Sequence, residues 1–394
     1  MSHSPIHRRA FLGQSTAAAA LGGLATVVLA ERAAAAEPKV WQPVSDRKVR
    51  VGIVGYGYCK FGAAFGFQDH PNVEIVAVSD LFPDRREGLM KACRCEKSYP
   101  SLEELVKDDT IEAVFCATDA PSHARHCIEV LKHGKHACSA VPACFGSVED
   151  GERLLEAVET TGLKYQMMET SCFREDCYAM RTAYRAGALG TIHLSEGNYH
   201  HYHASPEPTP SYNGWRRGVP PLWYPTHSTA YYIGVTGERF TSVSCIGTPG
   251  HLDYHKAENN PYQNPFATEV ALFETSEGGS SHMSVSWSMK SIYGECGRVF
   301  GRLGCINETA YTGLAKDLPD LTRPALPPRV PGGGHGGSHG YLMDEFITAI
   351  LEDRDPLVNV YEALSMTVPG IVAHQSALKG GERLPCPQYR RKTP

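Results

Sequence analysis

A chain of 394 residues with a net charge of −5 and 42% hydrophobic residues has the length and balance of a soluble globular protein of about two domains. Nothing in it is basic enough to point to nucleic acid. Its 13 cysteines are an odd number without an even framework, and Cys93 with Cys95 is the one close pair, so the thiols read as small buried apolar groups.

The first 36 residues stand apart. His7-Arg8-Arg9-Ala10-Phe11-Leu12 precedes a run of Ala, Leu, Gly and Val, and Ala34-Ala35-Ala36 offers a small-residue cleavage site, the pattern of a twin-arginine export signal over residues 1–36. The apolar stretch from Thr16 to Ala30 is short of the roughly 20 residues a bilayer span needs, so no membrane anchor is expected. Twin-arginine export moves proteins that are already folded, often around a cofactor. The expected destination is periplasmic or secreted.

From Lys48 to about Gln166 short β-rich runs alternate with helical ones, which predicts a parallel sheet with helices on both faces and a cofactor across the carboxyl ends of the strands. The first run, Arg50 to Val54, ends in Gly55-x-Gly57 and passes through Tyr58 and Cys59 into a helix-compatible segment, which offers backbone N–H groups to a pyrophosphate. The third glycine position holds Lys60, with Gly62 two residues late; either the helix starts differently here or Lys60 leans towards phosphate. A second strand, Val73 to Val78, closes on Ser79-Asp80, and an acidic residue about 20 positions beyond the glycines can accept a hydrogen bond from a ribose 2′-hydroxyl. Asp80 would repel a 2′-phosphate, which favours NAD over NADP, although Arg85 and Arg86 keep NADP open; the plainer reading of Asp80 is a strand-end cap. A strand from Ile111 to Ala117 leads to the loop Thr118-Asp119-Ala120-Pro121-Ser122-His123, a helix to His133, the turn Gly134-Lys135-His136, another strand, and Pro142.

Residues 46–168 would form this Rossmann domain, a doubly wound parallel sheet, and residues 169–386 a second α/β domain. Its first helix runs from Phe173 to Gly187, with Phe173, Cys177, Met180 and Tyr184 at helical spacing and a glycine to end it. Strand-like runs at Thr191 to Tyr202, Phe240 to Gly247, Glu269 to Thr275, Ser281 to Met289 and Arg298 to Gly304 predict a large open, mainly antiparallel sheet. His203 to Leu222, rich in Pro, Ser and Gly, looks like a loop that covers a site. Tyr199, His201 and His203 alternate on one strand face and could line a pocket together. A metal ion shared by His201 and His203 lacks a well-spaced third ligand, and sheet-face packing is the better reading, so no metal is expected. Residues 331–340, six glycines with His335 and His339, form either a surface connector or a flap that brings a histidine to a substrate. Helices from Tyr341 and from Tyr361 to about Leu378 close the chain as packing elements.

Gly55-x-Gly57, Asp80, Thr118 with His123, Gly134-Lys135-His136 and Pro142 resemble, at these spacings, the glucose–fructose oxidoreductase, inositol dehydrogenase and rhizopine-catabolism (Gfo/Idh/MocA) superfamily. The resemblance covers essentially the whole mature chain. It implies a Rossmann domain followed by an α/β domain whose open sheet forms the sugar site and often a dimer face. It further implies that Gly55, Gly57, Tyr58, Cys59, Asp80, Thr118, Asp119, Ala120, His123, Ala140, Val141, Glu169 and Thr170 meet NAD. Two positions depart from the superfamily. Its Glu-Lys-Pro is here Ala140-Val141-Pro142, so the lysine that helps a hydroxyl proton leave is a valine; its Asp-x-Gly-x-His is Trp223-Tyr224-Pro225-Thr226-His227, with the histidine and without the carboxylate. The NAD-dependent α-N-acetylgalactosaminidase family of glycoside hydrolases is similar in sharing the valine. Its Met-Glu-Asn-x-Cys-Tyr-Arg corresponds to Met168-Glu169-Thr170-Ser171-Cys172-Phe173-Arg174, its Glu-Gly-x-Tyr-x-His to Glu196-Gly197-Asn198-Tyr199-His200-His201, and its Tyr-Pro-Thr-His is intact from Tyr224 to His227.

Three functions fit. The first is a redox-neutral glycosidase, in which a sugar hydroxyl, conventionally at C3, is oxidised by NAD, the acidified C2–H is removed, the glycosidic bond breaks by elimination, water adds and the ketone is reduced again. His227 would be the base, as a neutral imidazole with a reference pKa of about 6.5, with Tyr224 or Tyr199 as the second acid/base at a pKa strongly lowered from about 10. Pro225, Thr226, His201 and Arg216 would meet the sugar. The second is a sugar or cyclitol oxidoreductase, resembling glucose–fructose oxidoreductase, whose tightly bound cofactor serves two sugars in turn. The third is a non-catalytic sugar-binding relative. A homodimer or tetramer is expected by analogy.

Overall fold

A computed structural model describes residues 39–291 and 294–391. The expected export signal lies outside the described residues. The first sheet has six parallel strands, β1 (Val49–Val54), β2 (Val73–Ser79), β3 (Ser98–Tyr99), β4 (Ala113–Cys116), β5 (His136–Ser139) and β6 (Tyr165–Met167), in the order β3-β2-β1-β4-β5-β6. β4 is buried at every position and β1 at all but Arg50, as expected of strands covered on both faces. Helices α1 (Phe61–Ala64), α2 (Pro83–Cys93), α3 (Leu102–Leu105), α4 (His123–Lys132) and α5 (Val148–Thr161) lie between them. Ser147 starts α5 by accepting a hydrogen bond from Asp150 N, and Gly162, at φ 67°, ends it. The strand order reverses between β1 and β4, which opens a crevice at their carboxyl ends.

Gly62 resolves the irregular glycine motif. Lys60 takes the left-handed conformation (φ 51°) and α1 starts at Phe61, so Gly62 falls in the first turn of the helix. A Cβ there would lie 2.4 Å from Gly55 O, so Gly62 provides the close helix–strand packing expected of the third glycine. Lys60 lies over the Tyr56 ring, 5.6 Å from its centroid.

The second sheet has eight strands: β7 (Ile192–His200), β8 (Phe240–Thr248), β9 (Thr268–Thr275), β10 (Ser280–Ser286), β11 (Glu295–Gly301), β12 (Gly304–Asn307), β13 (Ala310–Gly313) and β14 (Leu384–Pro385). Their order is β13-β12-β11-β7-β10-β9-β8-β14, antiparallel except for the parallel pair β7 and β10. The run expected as one strand from Arg298 to Gly304 is two, because Arg302 and Leu303 turn the chain and bond back to Thr191 and Leu189. Helix α6 (Glu175–Arg185) packs on β11, and α7 (Thr226–Thr236) on β7 and β11. Sequence periodicity does not reveal α7: nine of its residues are buried, so no polar face marks it.

The short turn α8 (Gly334–Gly337) leads into α9 (His339–Leu351), and α10 (Val360–Leu378) follows. α9 packs on β1, and α10 packs on β8, α5 and β6, so the two sheets share their C-terminal helices within one compact unit, Val40–Pro394. All 13 cysteines are free. Among the described residues no helix is long and apolar enough to cross a membrane.

Candidate active site

A cavity of about 750 Å³ fills the crevice at the ends of β1, β2 and β4. Gly55, Gly57, Tyr58, Cys59, Asp80, Thr118, Asp119, Ala120, His123, Ala140 and Val141 all line it. Its opposite wall comes from the second sheet's connections through Ser211, Tyr212, Trp215, Arg216 and Tyr224. The loop read as a cover does cross the crevice: Arg216 stacks on Trp215 and reaches Cys59 Sγ at 3.8 Å, on the glycine loop.

The cavity suits a dinucleotide. A Cβ on Gly57 would meet no protein atom within 4 Å, which leaves that backbone open to a ligand, and Ser79 Oγ is buried in the wall without a partner. α1 is a single turn, so loop N–H groups rather than a long helix dipole would face a pyrophosphate. Asp80 is placed for either of its two readings. It lines the cavity, and its carboxylate accepts from Tyr56 N (2.7 Å) and Phe82 N (2.9 Å), so it also caps the strand end. Arg86 donates to Asp80 O and Arg85 stacks on Phe82.

Beside the crevice lies a cluster of imidazoles and carboxylates. His227 opens α7 because the Pro225 carbonyl accepts from Ser228 N and Thr229 N, and α7 lies close against β7 because Gly197 has no side chain: a Cβ there would sit 2.1 Å from Ser228 O. His227 Nδ1 is 2.8 Å from Glu169 Oε1, 3.2 Å from Thr170 Oγ1 and 3.9 Å from Glu295 Oε1. The carboxylate missing from the local histidine motif is therefore supplied by Glu169, 58 residues away, and by Glu295 at the start of β11. Glu169 and Thr170, expected at the cofactor, both meet His227 Nδ1.

Burial by itself lowers the His227 pKa, but Glu169 and then Glu295 outweigh it and raise it above the usual imidazole range. Burial would raise the Glu295 pKa, yet His227 and the His335 hydrogen bond hold it down at about 2. The tyrosines go the opposite way from expectation. Burial pushes Tyr224 up to about 12 despite Arg216, and burial with the neighbouring Tyr224 and Glu295 pushes Tyr199 well above its usual value. The two rings stack at 6.2 Å, and Tyr199 lies 4.5 Å from the His227 ring.

Pro225 and Thr226, expected at the sugar, are buried at the start of α7. His201 stays near Tyr199 (6.0 Å), whereas His203 packs on Trp287 and beside His255, where burial lowers its pKa to about 3. Glu169, His227 and Glu295 have ligand atoms within 4.8 Å of one another, close enough for a metal ion. His227 Nδ1 lies between the two acids, hydrogen-bonded to Glu169 and 3.9 Å from Glu295, and Arg174 adds positive charge, so the three also read as an ion-pair network. Glu295 escaped the sequence analysis because no local motif marks it. The β7–β11 register, which sets Glu295 opposite Tyr199, brings it in.

A Rossmann crevice walled by an open, mainly antiparallel sheet defines a two-sheet dinucleotide-binding protein. Residues 49–169 match the model of the Gfo/Idh/MocA family, an oxidoreductase family with an NAD-binding Rossmann fold, and the chain therefore carries that family's NAD-binding domain, as its motifs imply. A glycosyl hydrolase family 109 protein of Streptomyces filamentosus is 26% identical over 434 residues, covering 96% of this chain and 86% of its own. In fold the chain is similar to apo scyllo-inositol dehydrogenase from Lactobacillus casei, with a TM-score of 0.67 at 17% identity over 86% of this chain and 99% of that one. It is also similar to an oxidoreductase from Agrobacterium radiobacter in complex with NAD+, L-tartaric acid and magnesium, with a TM-score of 0.69 at 14% identity over 86% and 98%.

Proposed function

We propose that this protein is a NAD-dependent, sugar-active enzyme, and within that class a glycosidase that oxidises its substrate transiently and restores it. The observation that carries the reading is the buried Glu169–His227 pair beside a dinucleotide crevice, in a chain that has valine at position 141. Its similarity to glycosyl hydrolase family 109 proteins over nearly its whole length supports the hydrolytic half.

NAD, when bound, supplies a reversible hydride acceptor. Glu169 holds Nδ1–H of His227, so Nε2 is the nitrogen left to take a proton from a sugar hydroxyl, and the carboxylate stabilises the imidazolium that results. Val141 then needs no lysine in its place. Tyr199 and Tyr224, with pKa values pushed up, stay protonated at neutral pH and act as hydrogen-bond donors. Tyr224 also stacks with Trp215, a wall that suits the C–H face of a sugar ring.

The test is to incubate the purified protein with aryl glycosides and no added NAD, following aglycone release and absorbance at the NADH band together. Aglycone without net NADH is expected, and His227→Ala should abolish release while retaining bound NAD. NADH accumulation, or exchange between two free sugars without aglycone, would make the protein an oxidoreductase. We further propose that residues 1–36 export the folded protein and that the open sheet pairs two copies, Ile246 and Leu272 being exposed on one face of β8 and β9. Recovery of a dimer or tetramer from the periplasm checks both.

A further inference from the structure

Between β7 and α7 the chain forms only short 3₁₀ turns, yet where it crosses the crevice its main chain is held by side chains from the second sheet's side. Trp215 O accepts from Tyr262 Oη (2.6 Å), Gly218 O from Asn264 Nδ2 (3.1 Å) and Val219 O from Trp287 Nε1 (2.8 Å). Tyr262 and Asn264 lie in the connection between β8 and β9, and Trp287 follows β10 directly. The last tie is of another kind. The segment ends in the 3₁₀ turn Pro221–Trp223, where Trp223 N and Tyr224 N bond back to Pro220 O and Pro221 O. Pro221 has no N–H, so Leu222 N, in a fully buried residue, is the one donor of this turn without a main-chain acceptor among the described residues. Glu269 on β9 supplies the acceptor: Oε2 takes the bond from Leu222 N at 2.7 Å, and Oε1 lies 2.6 Å from His374 Nδ1 on α10. Both side chains are buried. α10 comes this close because of Gly370, where a Cβ would lie 2.3 Å from Leu222 O, and His374 is one turn further along the same face.

We propose that Glu269 is a positioning residue: backed by His374, it fixes the turn from which Tyr224 and His227 project, so that the segment from Trp215 to Tyr224 is a standing wall of the site and not a lid. This rests on the reading of Tyr224 and His227 as residues that meet the sugar. A lid must be able to give its main-chain bonds to water as it opens. Lifting this segment would instead take main-chain partners from three buried side chains, Asn264, Glu269 and Trp287, and Trp287 Nε1 and Glu269 Oε2 have no other partner among the described residues. The wall also sets what the crevice offers. Trp215 and Tyr224, at its two ends, stack at 6.3 Å and 20°, both line the cavity, and Tyr224 lies 5.8 Å from the His227 ring. A displacement of the turn moves Tyr224 and the start of α7 together, and a shift of about 1 Å is enough to cost about 100-fold in a positioned reaction.

Hydrogen exchange and kinetics test the wall and the positioning role separately. In the NAD-loaded protein the amides of Leu222, Trp223 and Tyr224 should exchange as slowly as those of β9, and they should stay slow after NAD is removed; fast exchange in either state would make the segment a lid and overturn the proposal. For the second test, Glu269→Gln keeps an oxygen for Leu222 N, and Glu269→Leu removes it at similar volume. On aryl glycosides the Leu variant should lose about 100-fold in kcat, with KM and bound NAD little changed, and the Gln variant should recover most of the wild-type rate. A Leu variant whose folded fraction turns over like the wild type, with only its melting temperature lowered, would leave Glu269 a structural residue and overturn the positioning role, as would equal losses in both variants. Should neither variant fold, exchange in the wild type still decides between wall and lid. A wild type that releases no aglycone from any glycoside would sink the glycosidase reading, while the exchange pattern, which needs no turnover, still decides whether the wall stands.

Discussion

His227 is 2% exposed and Glu169 is fully buried, so each group's charge depends on the other. A buried carboxylate that loses its imidazole partner is left with an uncompensated charge, and an imidazole that loses its carboxylate loses its fixed tautomer. Glu169→Gln should therefore lower turnover by roughly 10³- to 10⁴-fold, as loss of the orienting carboxylate does in a Ser-His-Asp triad, while bound NAD, measured by its absorbance after denaturation, stays at the wild-type amount. The acids on either side of His227 favour its protonated form, and a base must be unprotonated to work. The acid limb of kcat/KM should therefore lie above the ordinary imidazole value of about 6.5, and a pH–rate profile checks it. The sign is the reverse of what a neutral, isolated imidazole would give. The tyrosine reading failed at the same scale: a lowered phenol pKa needs nearby positive charge in excess of the desolvation cost, and Arg216 alone does not outweigh burial at Tyr224.

The first βα unit separates two roles for glycine. Gly62 packs α1 against β1, and Gly57 faces open space in the crevice. Gly62→Ala should cost about 1 to 3 kcal/mol of stability as an overpacked contact, seen as a lower denaturant midpoint. Gly57→Ala should unfold like the wild type and lose NAD affinity in a titration; a matching stability loss in both would show that the loop backbone, not the ligand, sets the requirement. α7 is the other decisive element. It carries His227 yet has no amphipathic signature, because it is wrapped by α6, α10, β7 and β11. The motif Tyr224 to His227 was legible in the sequence, but the helix beneath it was not.

At the scale of the molecule, the segment from His203 to Leu222 belongs to the second sheet's side and closes over the first sheet's crevice. Arg216 is the link that reaches the glycine loop. Arg216→Ala should leave the fold intact and speed NAD loss on dialysis by about tenfold, the equivalent of about 1.4 kcal/mol, measured by residual NAD after a fixed time. Retention equal to the wild type would mean that the Rossmann domain alone holds the dinucleotide. A held cofactor matters for a protein that we propose is exported, since each turnover must return the hydride it took.

What the sequence by itself determined is the alternation of strands and helices, the crevice at the end of β1, the mainly antiparallel second sheet and the short motifs that carry His227, Tyr199 and Tyr224. Those features are local: each depends on hydrophobic period, a glycine spacing or a short motif within a few residues. The partners of His227 are different. Glu169, Glu295 and His335 lie on three separate segments, and only the β7–β11 register and the glycine-rich turn before α9 bring them within reach of one imidazole. Charge states followed the same division, because a pKa is set by burial and by neighbours in space, neither of which the order of residues displays.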